Sequence, residues 1–171
     1  MRVLLAVSAA TLVSLSLVPQ ATAQTSGTIT ARATVRQPIT IATGQDLDFN
    51  IVLQGTPKTI ASTAAAAGRF DATGTLSANV NVNFTLPANL VDAATNNLPI
   101  GTWTGCINPS AAVNTSGCTA IANMAGTTAS AFGNVAGTGR LWVFVGATVS
   151  PAAAQPVGNY SGTVTMTLTY F

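Results

Sequence analysis

The sequence predicts an all-β protein, an antiparallel sandwich or barrel, and three observations carry that prediction. Apolar and polar residues alternate with period two in several stretches, most clearly from Gly74 to Leu86. Successive strand side chains point to opposite faces, so such a stretch has one dry face and one wet face. Turn signals separate the stretches at Gly55-Thr56-Pro57, Asn96-Asn97, Asn108-Pro109, Gly137-Thr138-Gly139 and Ser150-Pro151. Thr, Val, Ala, Asn and Gly dominate over the long helix formers, which favours strands and turns over helices. Many short strands with frequent turns indicate a sandwich or a barrel.

In chain order, the first stretch is set apart from the fold. Arg2 gives a basic start, Val3 to Val18 is almost wholly apolar or small, and Pro19-Gln20 breaks the run. Ala21-Thr22-Ala23 then has the small-x-small pattern of a cleavage site, so residues 1–23 read as a signal peptide cut between Ala23 and Gln24. The apolar run is shorter than the roughly 20 residues a spanning helix needs. The expected product is exported, with no transmembrane segment in the mature chain. Ile29, Ala31, Ala33 and Val35 alternate with Thr28, Thr30, Arg32 and Thr34, a β-competent strip within 24–36. Gln37-Pro38 breaks it before Ile39, and residues 37–171 are expected to form one domain.

Within that domain, Leu47 to Leu53 is expected to be a strand with Leu47, Phe49 and Ile51 on one face. Ala64–Ala67 is either one helical turn or a loop, and Arg69–Ala72 is a short strand candidate. In Gly74 to Leu86, Leu76, Ala78, Val80, Val82, Phe84 and Leu86 share one face, and Ser77, Asn79, Asn81, Asn83 and Thr85 the other. Pro87 ends it, because proline donates nothing to a ladder. Ile100–Cys106 is a further candidate. Arg140 to Val149 is apolar on both faces, so it is expected to be covered on both sides. In the last strand, Thr163 to Tyr170, Val164, Met166, Leu168 and Tyr170 face one way and threonines the other.

Charge excludes several function classes. Charged residues make up 6% of the chain, against about 25% in an average domain. After the signal segment, Arg32, Arg36, Lys58, Arg69 and Arg140 stand against Asp46, Asp48, Asp71 and Asp92, five against four, a net charge near +1. Nucleic acid needs clustered Lys and Arg, so it is not an expected partner. A nearly neutral surface has little self-repulsion and favours association. Disorder is excluded too: it requires scarce apolar residues, and 48% of this chain is hydrophobic.

Catalytic chemistry has little to work with. The chain has no His, and its acidic residues are all Asp, so the usual triad base and the commonest metal ligand are missing. A hydrolase would have only generic Ser and Asp to use, and the chain is not expected to be an enzyme or to hold a metal or cofactor. Asp46 and Asp48, at i,i+2 at the start of the expected strand, are too few oxygens for calcium. Gly137-Thr138-Gly139 lacks the following Lys of a phosphate loop. The sequons at Asn83, Asn114 and Asn159 are given no function. Trp103 and Trp142 have faces suited to stacking on sugars, but a core or interface role fits Trp142, whose strand is apolar throughout. Cys106 and Cys118 are the only cysteines; in an exported chain an even pair reads as a disulfide, here pinning an Asn-, Pro-, Ser- and Gly-rich loop.

Gly158-Asn159-Tyr160-Ser161-Gly162, followed by an alternating strand with penultimate Tyr170, resembles the C-terminal signature of the chaperone–usher pilins. Gly158 and Tyr170 stand at that family's bracketing glycine and tyrosine. Ile39, Ile41 and Leu47-Asp48-Phe49-Asn50 are similar to the L-x-F strand of spore-coat-U-like and archaic pilin domains, and Val145-Gly146-Ala147, Val149 and Pro151 to Tyr160 resemble the same group. Many such domains carry Gly where Asn50 stands and an early Cys that this chain lacks.

The resemblance implies an immunoglobulin-like β-sandwich lacking its final strand and completed by donor-strand exchange. A periplasmic chaperone fills the groove first, and an outer-membrane usher then assembles subunits into a head-to-tail homopolymer, a surface pilus serving adhesion or biofilm formation. Ile29, Ala31, Ala33 and Val35 are then the donor knobs, and Gly158, Val164, Met166, Leu168 and Tyr170 belong to the acceptor-groove strand. Alternation alone favours two ordinary edge strands in a complete sandwich; the strip at the start, the final strand at Phe171 and the sparse charge turn the reading toward the fibre. The competing reading is therefore a self-contained secreted or coat β-sandwich acting as a monomeric binding module.

Overall fold

A strand in water needs a neighbour for its backbone groups, so the alternating stretches become strands where the chain supplies one. The computed structural model describes residues 25–171, and every regular element in them is a β-strand. In chain order these are β1 (Thr40–Gln45), β2 (Lys58–Ile60), β3 (Gly68–Gly74), β4 (Asn79–Thr85), β5 (Asn89–Val91), β6 (Asn97–Asn108), β7 (Thr119–Ile121), β8 (Thr128–Ala131), β9 (Gly133–Val135), β10 (Thr138–Val149) and β11 (Thr165–Tyr170). The expected cleavage site at Ala23 and Gln24 lies outside the described residues. Thr25–Thr34 contains no strand, and Val35–Phe171 forms a compact unit of its own. Among the described residues no helix is long and apolar enough to cross a membrane.

The strands of that unit make two antiparallel sheets. The larger has the order β1-β3-β10-β6-β5, with β2 and β9 also on β10 and β7 also on β6; the smaller has the order β11-β4-β8. One core lies between them. Val80, Val82, Met166 and Leu168 of the small sheet meet Ala72, Ile107, Leu141, Val143 and Val145 of the large one. This is a β-sandwich, as the sequence predicted. A second cluster, Ile60, Leu98, Ile100, Ala147 and Val149, continues under the large sheet and is covered by Phe49 and Ala67 from loops.

β10 is the central element and is covered on both faces. Leu141, Val143 and Val145 enter the main core, while Trp142 and Phe144 pack on the opposite face with Cys106. β6 serves the same two faces by a bulge. Its register to β10 shifts between Gly146↔Thr104 and Thr148↔Gly101, and Thr102 stands at φ 47°. One extra residue reverses which side chains face inward. Leu98 and Ile100 therefore point inward before the bulge, and Gly105 and Ile107 after it.

Three sequence expectations need correction. Leu47–Leu53 is no strand: Asn50 sits at φ 52° and its N–H donates to Asp48 Oδ1 at 2.7 Å, a local turn that ends the alternation. Left-handed backbone suits Gly and Asn, the exchange noted at this position. Phe49 is buried but Ile51 is 75% exposed, and Asp46 and Asp48 share no strand face. Second, the last strand, expected from Thr163, starts at Thr165, so Val164 precedes β11; the β-competent strip from Thr28 to Val35 has no strand assigned and no ladder partner among the described residues. Third, β4 starts only at Asn79, because Ser77 at φ 53° turns the chain and leaves Leu76 38% exposed. Ala64–Ala67 is a single turn, with Ala67 N–H donating to Ala64 O at 3.1 Å, and it follows directly on the turn Ala61–Ala64.

The outer face of the small sheet carries hydroxyls and amides. Thr165, Thr167 and Thr169 stand opposite Thr85, Asn83 and Asn81, and Thr127 Oγ1 lies 2.6 Å from Asn83 Oδ1. The inward partners Met166, Leu168, Val80 and Val82 are buried, so the alternation of both strands is realised.

Candidate functional site

Two strands end their sheets on the same side of the sandwich. Among the described residues β1 pairs only with β3, and β11 only with β4. An edge strand keeps a row of N–H and C=O groups unpaired. At one end the two edges are tied together. Tyr170 Oη accepts from Thr75 N–H at 2.7 Å and donates to Gln37 O at 2.8 Å, while Gln37 N–H donates to Thr75 Oγ1 at 2.6 Å. The Arg36 guanidinium lies 5.2 Å from the Tyr170 ring centroid, and Phe132 packs against that ring at 6.1 Å.

Away from this clasp, beside the end of β1 and the segment leading into β11, lies an open groove of about 810 Å³. Thr43 and Gln45 at the end of β1 form one rim, Thr163 and Val164 before β11 the other, and Phe70, Trp103, Val145 and Val149 contribute an apolar floor. Trp103 packs against both hydrophobic clusters, so the groove lies over their junction. Asp46 and Asp48 stand at its edge. The arrangement can hold an extended apolar segment, with backbone bonds to the strand edge and side chains toward the floor.

One wall is the loop from Pro151 to Gly162, held by the buried Gln155. Its Nε2 donates to Asn97 O at 3.0 Å and to Tyr160 Oη at 2.9 Å, and Tyr160 Oη donates to Pro156 O at 2.7 Å. Ser161 bridges Val91 of β5 in both directions, at 2.8 and 3.0 Å. Gln155 escaped the sequence reading because one amide among Ala and Pro carries no periodic signal. Nearby, the Asn96 side-chain amide donates to Asp92 at 2.8 Å and, with the Ala94 and Asn96 N–H groups, holds that carboxyl below its usual range.

The expected acceptor residues divide. Gly158 and Val164 line the groove; Met166 and Leu168 are core residues of β11; Tyr170 is in the clasp. Of the expected donor knobs, Ile29 is 97% and Val35 94% exposed, and Ala31 and Ala33 are exposed as well. No protein-family model and no curated protein matches the chain.

The Cys106–Cys118 disulfide lies elsewhere, on the outer face of the large sheet, with Cα atoms 5.7 Å apart. The loop it closes covers Trp142, whose Nε1–H donates to Ser110 O at 2.9 Å. Arg69 and Arg140 lie 5.9 and 5.3 Å from the Trp142 ring centroid. Trp142 is 5% exposed, so its faces are engaged by the protein itself and are not offered to a sugar.

Proposed function

We propose that this protein is a structural subunit of a surface fibre, built by β-strand addition from one copy to the next. The reading rests on one observation: the end of β1 and the segment leading into β11 border an open groove with an apolar floor. The same chain carries a segment of matching chemistry, Ile29, Ala31, Ala33 and Val35, with exposed side chains and no strand of its own. Seven residues from Ile29 to Val35 span about 20 Å as a strand, and four alternate side chains enter the groove. Each copy gives one strip and takes another, a head-to-tail contact that propagates as a filament. Export through the periplasm, the immunoglobulin-like description and the chaperone–usher route belong to this proposal, and adhesion or biofilm formation is the role such a fibre serves. The near-neutral charge favours packing of copies.

The test compares the exported chain with one truncated before Arg36, by size measurement on periplasmic material. The full chain is expected as polymers or a chaperone complex, and the truncated chain as a chaperone complex alone. Polymers of the truncated chain overturn the donor assignment. A full chain that stays monomeric without a chaperone and shows no tendency to form chains as its concentration rises overturns the fibre and leaves a monomeric binding module.

A further inference from the structure

The open groove ends at Val164, yet the edge of β11 continues to Tyr170. Beyond Val164 the place beside the core is taken by the chain's own segment. Ile39 packs against the main cluster that holds Met166 and Leu168, and Arg36 and Gln37 are held on Tyr170. The six residues of β11 extend about 17 Å, whereas the four knobs of the strip need about 20 Å. A strip paired along this edge with all four knobs over the core therefore meets Gln37 and Ile39.

We infer that Arg36–Ile39 is an intramolecular plug latched by the Tyr170 hydroxyl, and that an incoming strip must expel it. This rests on the strand-addition reading and states how that groove is regulated. The plug is continuous in sequence with the copy's own strip, so filling a groove frees the root of the strip that copy has to offer. Filling of the groove, by a chaperone strand or by a donated strip, then readies that copy to donate. Tyr170 acts as a positioning residue: its ring stays with Phe132 in either state, and its hydroxyl holds or releases Gln37.

The test uses the full chain, isotopically labelled, with a synthetic peptide of its residues Thr28–Gln37 as the probe. With the peptide bound, amides along β11 are expected to gain hydrogen-exchange protection while the Gln37 and Thr75 resonances leave their clasped positions. Tyr170→Phe keeps the ring but removes the latch bonds, and is expected to take up the peptide about tenfold faster. A residue with a merely structural role does not speed uptake when cut back. Protection along β11 with the clasp resonances unmoved overturns the plug, as does unchanged or slower uptake by Tyr170→Phe. If the wild-type β11 gains no protection at all, the strand-addition reading itself fails. Should Tyr170→Phe not fold, the wild-type resonances alone decide.

Discussion

Replacing both cysteines, Cys106→Ala with Cys118→Ala, tests what holds the cover over Trp142. The bond joins residues 12 apart in sequence, and the chain-entropy relation for a loop of that size gives about 3 kcal/mol at 25 °C. The Cys106 sulfur also fills buried space beside Trp142 and Phe144, and losing it adds about 1 kcal/mol of cavity cost. The double variant is therefore expected to lose about 4 kcal/mol and, for a chain of this size, about 8–16 °C in Tm. Urea unfolding measures the first and a thermal scan the second. Reducing the wild type with a dithiol isolates the loop term, about 3 kcal/mol. Trp142 emission should shift to the red as the loop lifts and its Nε1–H exchanges Ser110 O for water. The rival holder is Asn108, whose Nδ2 donates to Asn114 O at 2.8 Å and to Ser116 O at 3.4 Å. If reduction costs under about 1 kcal/mol and the emission stays put, those hydrogen bonds hold the loop and the reasoning from chain entropy is wrong.

Two further outcomes follow from local backbone and charge. Ala136 and Gly137 form the β9–β10 turn at φ 49° and 83°; a left-handed alanine costs about 1 kcal/mol, so Ala136→Gly should raise stability by up to about that amount, and a lower urea midpoint would refute it. Asp92 is held below the usual aspartate range by Asn96. Its carboxylate therefore steadies the Asp92–Asn96 turn above the unfolded value near 3.9, and this contribution is lost as pH falls through the lower folded value. A carboxyl NMR titration giving Asp92 a midpoint at or above about 3.9 contradicts that assignment.

What was legible in the sequence follows from how far each strand's surroundings repeat. Val80, Val82, Met166 and Leu168 alternate because their strands have one wet face, and β10 reads as apolar throughout because it has none. Leu47–Leu53 alternated as well, but the Asp48–Asn50 turn outweighed the pattern, since one left-handed residue ends a strand whatever its neighbours. The parity change in β6 was hidden because a bulge at Thr102 is a backbone event with no composition signature. β2, β5, β7 and β9 have three residues each, too short for a period to show. Of the groove, the sequence named Gly158 and Val164 on its wall. It missed the floor, because Phe70, Trp103 and Val145 come together only through pairing across distant strands.

The threonine and asparagine face of the small sheet has a consequence for the medium it meets. Acid finds no carboxylate there to neutralise and alkali no ammonium to strip, while dissolved ions find no charge pair to shield. Hydroxyl and amide groups bind water equally across those conditions. This side of the molecule therefore keeps one constant hydrated skin from brine to rain and from sour to basic surroundings.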